Sequence, residues 1–361
     1  MTPVELSRTV LRAVRRAVDD GELDVAVPGQ AKVVPPGPGG CGDYATNVAL
    51  RLARPAGQPP LRVAEILRQH LAGADGIREV VVTGPGFLNI ILRGSHTDLV
   101  REILRCGRTY GHADRPTGQL VQLHAPHEVR AVVVMDAVAR VLRSQGALVR
   151  TSCADRPESE WTDLLGVDID AYGTPEAPAP LDVNVRPVPV VPDPLHLGRD
   201  AARWALLQPA AHDRPRITAE HLVQRESNPL FRIRYAHART RALSRNATDL
   251  GFHAEPGDTA VEATEATEVT QDAQDARALE IALADHPRVL ARSAAHHAPD
   301  LLARHLVTVA DAVLPFLVTV LPRGAQKPSA AHRARLALAE AAGAVLAGGL
   351  SLLGIDAPEH L

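Results

Sequence analysis

The segment NPLFRIRYAHARTRALSR, residues 228–245, begins with a helix-start signal, because an Asn side chain caps free N–H groups and Pro229 suits the first helical position. At 100° per residue, one stripe of this predicted helix carries four polar residues: Asn228, Arg232, Tyr235 and Arg239. Guanidinium groups pair with phosphate and an aromatic ring stacks on an unpaired base, so the stripe indicates an RNA contact. A solvated arginine face is the alternative. His237 lies on another side, beside Leu230 and Ile233, and is predicted to pack.

Composition limits the class of protein. The chain has 361 residues and is 45% hydrophobic, which predicts two or three domains with cores of their own. The formal net charge of −3 excludes a basic surface over the whole protein, so any RNA-binding surface must be local.

Cysteine usage and hydropathy predict a cytoplasmic protein. Cys41, Cys106 and Cys153 have no metal-ligand spacing and are predicted to be free thiols in a reducing compartment. The first residues lack the apolar core of a signal peptide, and no window approaches the roughly 20 apolar residues of a membrane span. We therefore expect no membrane association.

The amino-terminal part predicts a small α/β domain. Helices are expected over 2–18 and 61–72, and β-like runs over 77–82 and 87–92 with a tight connection between them. A glycine-rich loop, Gly37–Gly42, is predicted to lead into a helix through Asp43 and Thr46. Its spacing matches neither the P-loop nor the dinucleotide fingerprint, so it is a weak candidate for a phosphate site.

Motifs in the amino-terminal part and in the segment 228–239 resemble those of a known protein family. Residues 42–49, GDYATNVA, and 84–90, GPGFLNI, resemble the signature stretches of the amino-terminal additional domain of arginyl-tRNA synthetases. The pattern NPxxxxxYAHAR at 228–239 is similar to the opening helix of their anticodon-binding domain. The resemblance implies contact with the D-loop corner of a tRNA, with a base stacked on Phe87 and hydrogen-bonded by Asn89. A buried, purely structural Phe87 is the alternative.

The centre resembles the start of the Rossmann-type catalytic domain of that family. A strand over 120–123, a helix to Arg143 and a strand over 147–151 predict a βαβ unit. The HIGH motif expected before the helix is replaced by HAPHE, residues 124–128, which has no glycine. We interpret His124, His127 and Glu128 as a degenerate remnant with no catalytic role. A metal site without an evident third ligand, and a reworked enzyme pocket, remain alternatives.

The following interval argues against aminoacylation. Residues 153–194 are acidic and proline-rich, with strand character only over 182–191. The resemblance implies a much longer segment here, ending in a lysine-bearing KMSK loop, but no lysine occurs between Lys32 and Lys327. We therefore expect neither ATP nor any other cofactor, and no catalytic residues.

The carboxyl-terminal part is predicted to be helical. The segment 198–207 resembles the helix that leads into the anticodon domain, and the tail 350–361 resembles the end of the family's chain. Residues 249–275 are polar and predict a solvated loop. Further helices are predicted over 276–294 (continuing around Pro287), 299–321 and 329–346.

The fold class is therefore α/β plus all-α, with three predicted domains. These are an amino-terminal additional domain at 1–94, a linker helix with a contracted Rossmann-like remnant at 95–196, and a helical DALR anticodon-binding-like domain at 197–361. The expected partner is tRNA or a tRNA-like RNA, and not DNA. The alternatives are a functional arginine–tRNA ligase that uses ATP, and a regulatory subunit that contacts a genuine synthetase or a tRNA-modifying enzyme, or itself, through the contracted centre.

Overall fold

The computed structural model describes residues 3–34, 36, 43–92, 95–173, 183–259 and 271–361. The chain divides into two compact units, residues 1–99 (unit 1) and 100–361 (unit 2). The predicted central and carboxyl-terminal domains therefore lie together in unit 2. The glycine-rich loop 37–42, with Cys41, lies outside the described residues.

Unit 1 packs helices against one antiparallel sheet. Its elements are α1 (Pro3–Asp19), β1 (Val33–Val34), β2 (Tyr44–Thr46), α2 (Val48–Ala53), α3 (Pro60–Leu71), β3 (Ile77–Thr83), β4 (Phe87–Leu92) and the start of α4 (Ser95–Cys106). The strand order is β1-β2-β4-β3. Alternate residues of β4, namely Leu88, Ile90 and Leu92, share one buried cluster with apolar residues of α1, α2 and α3. The predicted helix–hairpin organisation is thus present.

The prediction of a helix through Asp43 and Thr46 is wrong. Residues Tyr44–Thr46 form strand β2, which pairs with β4 from Tyr44 opposite Ile90 to Thr46 opposite Leu88. The helix begins only at Val48, whose N–H is accepted by Thr46 Oγ1 at 3.3 Å. Pairing with β4 satisfies the backbone groups of these residues inside the sheet, and no local pattern announces that partner.

Unit 2 combines a parallel sheet with a helical bundle. Its elements after α4 are β5 (Leu120–Ala125), α5 (Val129–Ser144), β6 (Leu148–Cys153), α6 (Ser159–Asp163), β7 (Ala171–Tyr172), β8 (Val183–Asn184), α7 (Gly198–Leu207), α8 (Pro229–Asp249), α9 (Gln271–His296), α10 (Pro299–Phe316) and α11 (Ala330–Leu352). Short 3₁₀ turns occupy 107–109, 195–197, 219–222 and 317–319. The predicted helices are all present, and α9 is continuous through Pro287.

The sheet of unit 2 is small. Its strand order is β7-β6-β5-β8 with every pair parallel, which is the 3-2-1-4 order of doubly wound folds. Each outer strand has two residues, so the sheet offers only short edges. The strand predicted over 182–191 is reduced to Val183–Asn184, because the prolines that follow cannot donate ladder hydrogen bonds.

Helix α5 joins the sheet to the bundle. It packs on β5 and β6 and also contacts α7, α9, α10 and α11. Within Val129–Ser144 only Arg140 and Arg143 are not buried. A helix covered on nearly all sides is mainly apolar, which explains the run VRAVVVMDAVARVL, and its two buried charges, Arg130 and Asp136, are hydrogen-bonded. This sharing places the centre and the bundle in one unit.

Two bundle helices are apolar and long enough to cross a membrane by length and composition, contrary to the sequence-based expectation. They are Pro299–Thr319, with a mean hydropathy of 1.7, and Ala330–Leu352, with 1.3. Burial covers 50% and 78% of their most apolar windows. Packing inside the bundle accounts for the apolar character of Ala330–Leu352, whereas half of the Pro299–Thr319 window is not buried.

Candidate RNA-binding surfaces

Asn228 is the cap of α8 and is buried. Its Oδ1 accepts hydrogen bonds from the N–H groups of Leu230 at 3.1 Å and Phe231 at 3.5 Å. Its Nδ2 donates to the carbonyl oxygens of His221 and Val223, both at 2.9 Å. The cap prediction is confirmed, but the same contacts occupy the amide. The prediction that Asn228 contacts RNA is therefore corrected: the residue holds the helix start in place.

An exposed column of rings and charge runs along α8. The rings of Phe231 and Tyr235 stack with their centroids 5.7 Å apart and an interplanar angle of 20°. Arg239 Cζ lies 6.0 Å from the centroid of Tyr235, which is 39% exposed. We call Phe231, Tyr235 and Arg239 the aromatic–arginine column. Sequence reasoning missed Phe231, although its spacing of four residues from Tyr235 was a usable signal.

Arg232 points away from this column. Its Nη1 lies 3.4 Å from Asp311 Oδ1 on α10, and its side chain is 28% exposed. A long flexible side chain can lean from its stripe toward a charge on the next helix, which helical periodicity does not report. We therefore correct its predicted place in the RNA-facing stripe: Arg232 joins α8 to α10.

The neighbouring stripe of α8 is covered by the tail 358–360. His237 Nδ1 donates to the carbonyl oxygen of Pro358 at 2.9 Å, and burial is the main cause that lowers the pKa of His237. Arg241 Nε lies 3.2 Å from Glu359 Oε1. The prediction that His237 packs is thus confirmed.

A cleft lies at the amino-terminal end of α8. It has a volume of about 330 Å³ and is lined by residues 198–201 of α7, residues 221–224, and Phe231 and Arg234 of α8. Arg234 Nη1 lies 3.5 Å from Asp200 Oδ2, so the lining of the cleft contains an ion pair. The cleft therefore adjoins the aromatic–arginine column through Phe231. No sequence pattern indicated it.

In unit 1, Phe87 and Asn89 lie on the same face of β4, but only Phe87 is accessible. Phe87 is 40% exposed and Asn89 is 1% exposed. Asn89 Nδ2 donates to Thr83 Oγ1 at 2.6 Å and to the carbonyl oxygen of Val81 at 3.3 Å. The prediction that Asn89 reads a base edge is therefore corrected, because a central position in the sheet buries its amide. It fixes the β3–β4 connection beneath Phe87.

His124 and His127 are held apart by the sheet and the following turn. His124 Nδ1 lies 2.9 Å from Ser152 Oγ on β6, and burial followed by the charge of Arg186 lowers the pKa of His124. His127 Nε2 donates to the carbonyl oxygen of Arg156 at 3.0 Å, and its ring lies 4.9 Å from that of Trp161. Each imidazole has a structural partner of its own.

Glu128 closes the amino terminus of α5. Its Oε2 accepts from the N–H of Ala131 at 2.8 Å, and its Oε1 accepts from the N–H of Val190 at 3.3 Å. Free N–H groups at a helix start are where a phosphate binds in doubly wound folds. Here a carboxylate of the chain itself accepts from one of these donors, the N–H of Ala131. No group of three or more His, Cys, Asp or Glu residues in the described ranges is placed to hold a metal ion.

Two family profiles match the ends of the chain. Residues 5–92 match the arginyl tRNA synthetase N terminal domain, and residues 233–361 match the DALR anticodon binding domain. The resemblance predicted for both ends and the α/β plus all-α fold class are therefore confirmed. Residues 93–232 fall outside both matches.

Curated relatives and solved structures agree with these domains. The chain is 38% identical over 184 residues to an arginine–tRNA ligase of Frankia alni, covering 48% of this chain and 32% of the relative. It is 41% identical over 164 residues to one of Renibacterium salmoninarum, covering 41% and 30%. The chain thus matches about a third of the length of these relatives. The Thermus thermophilus arginyl-tRNA synthetase structure has a similar fold, with a TM-score of 0.68 at 16% identity over 100% of both chains.

Proposed function

We propose that this chain, which carries the amino-terminal and DALR anticodon-binding domains of arginyl-tRNA synthetases, binds tRNA or a tRNA-like RNA without aminoacylating it. The observation that carries the binding proposal is the exposed aromatic–arginine column on the first long helix of the region that matches the anticodon-binding domain. Phe87, in unit 1, is a further exposed aromatic ring on which a base could stack.

The column suits an unpaired base beside a phosphate. The stacked Phe231 and Tyr235 hold the outer ring in one orientation, so little rotamer freedom is lost when a base stacks on it. Arg239 lies over the same ring and brings a guanidinium group within reach of the adjoining phosphate. Since the net charge of the chain is −3, this local charge must provide much of the attraction.

The proposed loss of catalysis rests on the centre. The carboxylate of Glu128 accepts from the N–H of Ala131 at the start of α5, and its charge would repel a phosphate placed there. No lysine occurs between Lys32 and Lys327 to replace the mobile lysine that stabilises pyrophosphate in the family. The Rossmann-like remnant at 95–196 is therefore expected to bind no nucleotide.

We expect Tyr235→Ala to weaken tRNA binding by about 1–3 kcal/mol, because alanine removes one stacking partner of a base. Arg239→Ala should also weaken binding and reduce the slope of log K against log salt by about one, since one phosphate contact is lost. Filter binding or fluorescence anisotropy with bulk tRNA across a salt series measures both effects.

Two control variants make the result specific. Arg292→Ala removes an exposed arginine from α9 and should leave tRNA affinity unchanged. Arg232→Ala should have a smaller effect than Arg239→Ala, because Arg232 is paired with Asp311. If Tyr235→Ala and Arg239→Ala bind tRNA as the unaltered protein does, the column is not the RNA surface and the partner-subunit alternative is favoured.

We expect no arginine-dependent exchange of pyrophosphate into ATP by the purified chain. The names of the curated relatives favour the second candidate, an ordinary arginine–tRNA ligase, so the assay decides between the two. A genuine arginyl-tRNA synthetase run in parallel is the positive control. Turnover above the background of a reaction without protein would support the ligase and contradict the proposed loss of catalysis.

A further inference from the structure

Three histidines of unit 2 meet where the connection between α4 and β5 crosses the bundle. Residues 110–112 of this connection lie against α9. A Cβ added to Gly111, whose φ is +83°, would lie 3.1 Å from both Leu290 Cδ1 and Pro287 Cα. Gln145 Nε2 donates to the carbonyl oxygen of Gly111 at 3.0 Å and holds the loop from the α5 side. The loop is therefore seated closely on the helices.

The rings of this cluster come from three segments. The Tyr110 ring stacks on His286 of α9 with centroids 6.0 Å apart. His286 in turn lies 5.3 Å from His305 of α10, centroid to centroid. His286 is 2% exposed and His305 is 7% exposed. His112 follows on the same loop. We call His112, His286 and His305 the histidine cluster.

The cluster contains buried nitrogens with no hydrogen-bond partner in the described part of the chain. They are His112 Nε2, His286 Nδ1 and His305 Nε2. A neutral imidazole tolerates such an environment at a modest cost, whereas an imidazolium would bring a charge and a further unpaired donor into it. The cluster is stable only while its rings are neutral.

The charged groups around the cluster do not reverse the preference of its rings for the neutral form. His286 faces His305 and His112, and its pKa is lowered by burial first and by those two rings next. His305 faces Asp285 and Arg288 of α9, which pair with each other at 2.5 Å. The pKa of His305 is lowered to about 4, chiefly by burial. Burial likewise lowers the pKa of His112.

We propose that the histidine cluster is a proton-operated latch: while its rings are neutral it holds the 110–112 loop on α9, and protonation releases the loop. This loop lies in the segment that leads from α4 into the sheet, so the latch controls how firmly that connection is attached to the bundle. The signal that it would sense is acidification.

The direction of the effect follows from proton linkage. Each folded-state pKa lies below the ordinary value of 6.5, so the released loop binds protons more readily than the seated one. The closed state keeps its full advantage above pH 6.5 and loses it as the pH falls toward the folded-state value. Full return of the pKa of His305 from about 4 to 6.5 on release sets an upper limit of about 30-fold on the rise in the open population between pH 8 and pH 5.

Hydrogen exchange of the full chain, read by mass spectrometry at pH 5 to 8, tests this proposal. After correction for intrinsic exchange rates, protection of peptides covering 107–118 should fall toward pH 5, by up to about 30-fold from His305. The His286→Phe/His305→Phe variant removes two of the three titrating rings, so its loop protection should depend on pH less steeply, through His112 alone. The control His212→Gln, at an exposed site, should retain the pH dependence of the unaltered protein.

The unaltered protein also tests the idea if the double variant does not fold. In that case His305→Gln, which cannot titrate but stays polar, should reduce the pH dependence. Loop protection that stays constant from pH 8 to pH 5 in the unaltered chain overturns the latch. So does a variant whose protection falls with pH as steeply as that of the unaltered chain.

Discussion

Replacing Arg203 with methionine is expected to lower the free energy of unfolding of unit 2 by about 3–5 kcal/mol, the usual cost of breaking a buried ion pair. The side chain of Arg203 is fully buried in α7, and its Nη2 lies 2.5 Å from Asp136 Oδ2. Its Nε and Nη1 donate to the carbonyl oxygens of Leu353 and Leu165, both at 2.8 Å. Arg140, paired with the same carboxylate at 2.9 Å, should keep the loss near the lower value.

Urea denaturation followed by circular dichroism measures this loss. Arg199→Met, on the same helix but exposed, is the matched control and should cost less than about 1 kcal/mol. The double variant Asp136→Leu/Arg203→Met should lose less stability than the sum of the single changes, because no unpaired charge remains buried. An Arg203→Met protein as stable as Arg199→Met would show that the network does not join these segments.

Arg130→Met is expected to destabilise unit 2 by about 4 kcal/mol or more, because each buried acceptor left unsatisfied costs about 1–3 kcal/mol. Arg130 is 0% exposed. It donates to five carbonyl oxygens at 2.6–3.2 Å, those of Val188, Leu206, Pro209, Ala210 and Asp213. The guanidinium thus organises the chain on both sides of α7 around the start of α5.

A conservative variant separates charge from geometry at this position. Arg130→Lys keeps the charge, but an ammonium has three donors and no planar fork, so we expect roughly half of the loss. Arg143→Met, at a half-exposed position of the same helix, should cost less than about 1 kcal/mol. Chemical denaturation compares the three proteins, and equal midpoints for Arg130→Met and Arg143→Met would contradict this role.

Local patterns identified most of the elements correctly. The cap at Asn228 with Pro229 marked the start of α8, and helical spacing of apolar residues located α1, α3 and the start of α11 to within one residue. The β3–β4 connection was evident from the two glycines Gly84 and Gly86. In the structure both adopt positive φ angles, which favour glycine. Such signals lie within a few residues of the structure that they specify.

The candidate site was predicted less completely. Period-two alternation correctly placed Phe87 and Asn89 on one face, but it could not show that neighbouring strands bury Asn89. The stripe on α8 correctly contained Tyr235 and Arg239, yet the partner of Arg232 lies on α10. Periodicity gives the direction of a side chain and carries no information about the element that it meets.

Sequence patterns alone located most of the helices and the longer strands, revealed the similarity of both ends to arginyl-tRNA synthetase domains, and contained none of the usual ATP motifs. Three-dimensional packing was needed to show that Asn228 and Asn89 are held in structural hydrogen bonds, that Glu128 caps the start of α5, and that the centre and the bundle form one unit. Packing depends on residues that are far apart in the chain. Arg203 and Leu353 are 150 residues apart, and a hydrogen bond over that distance depends on the packing of every element between them.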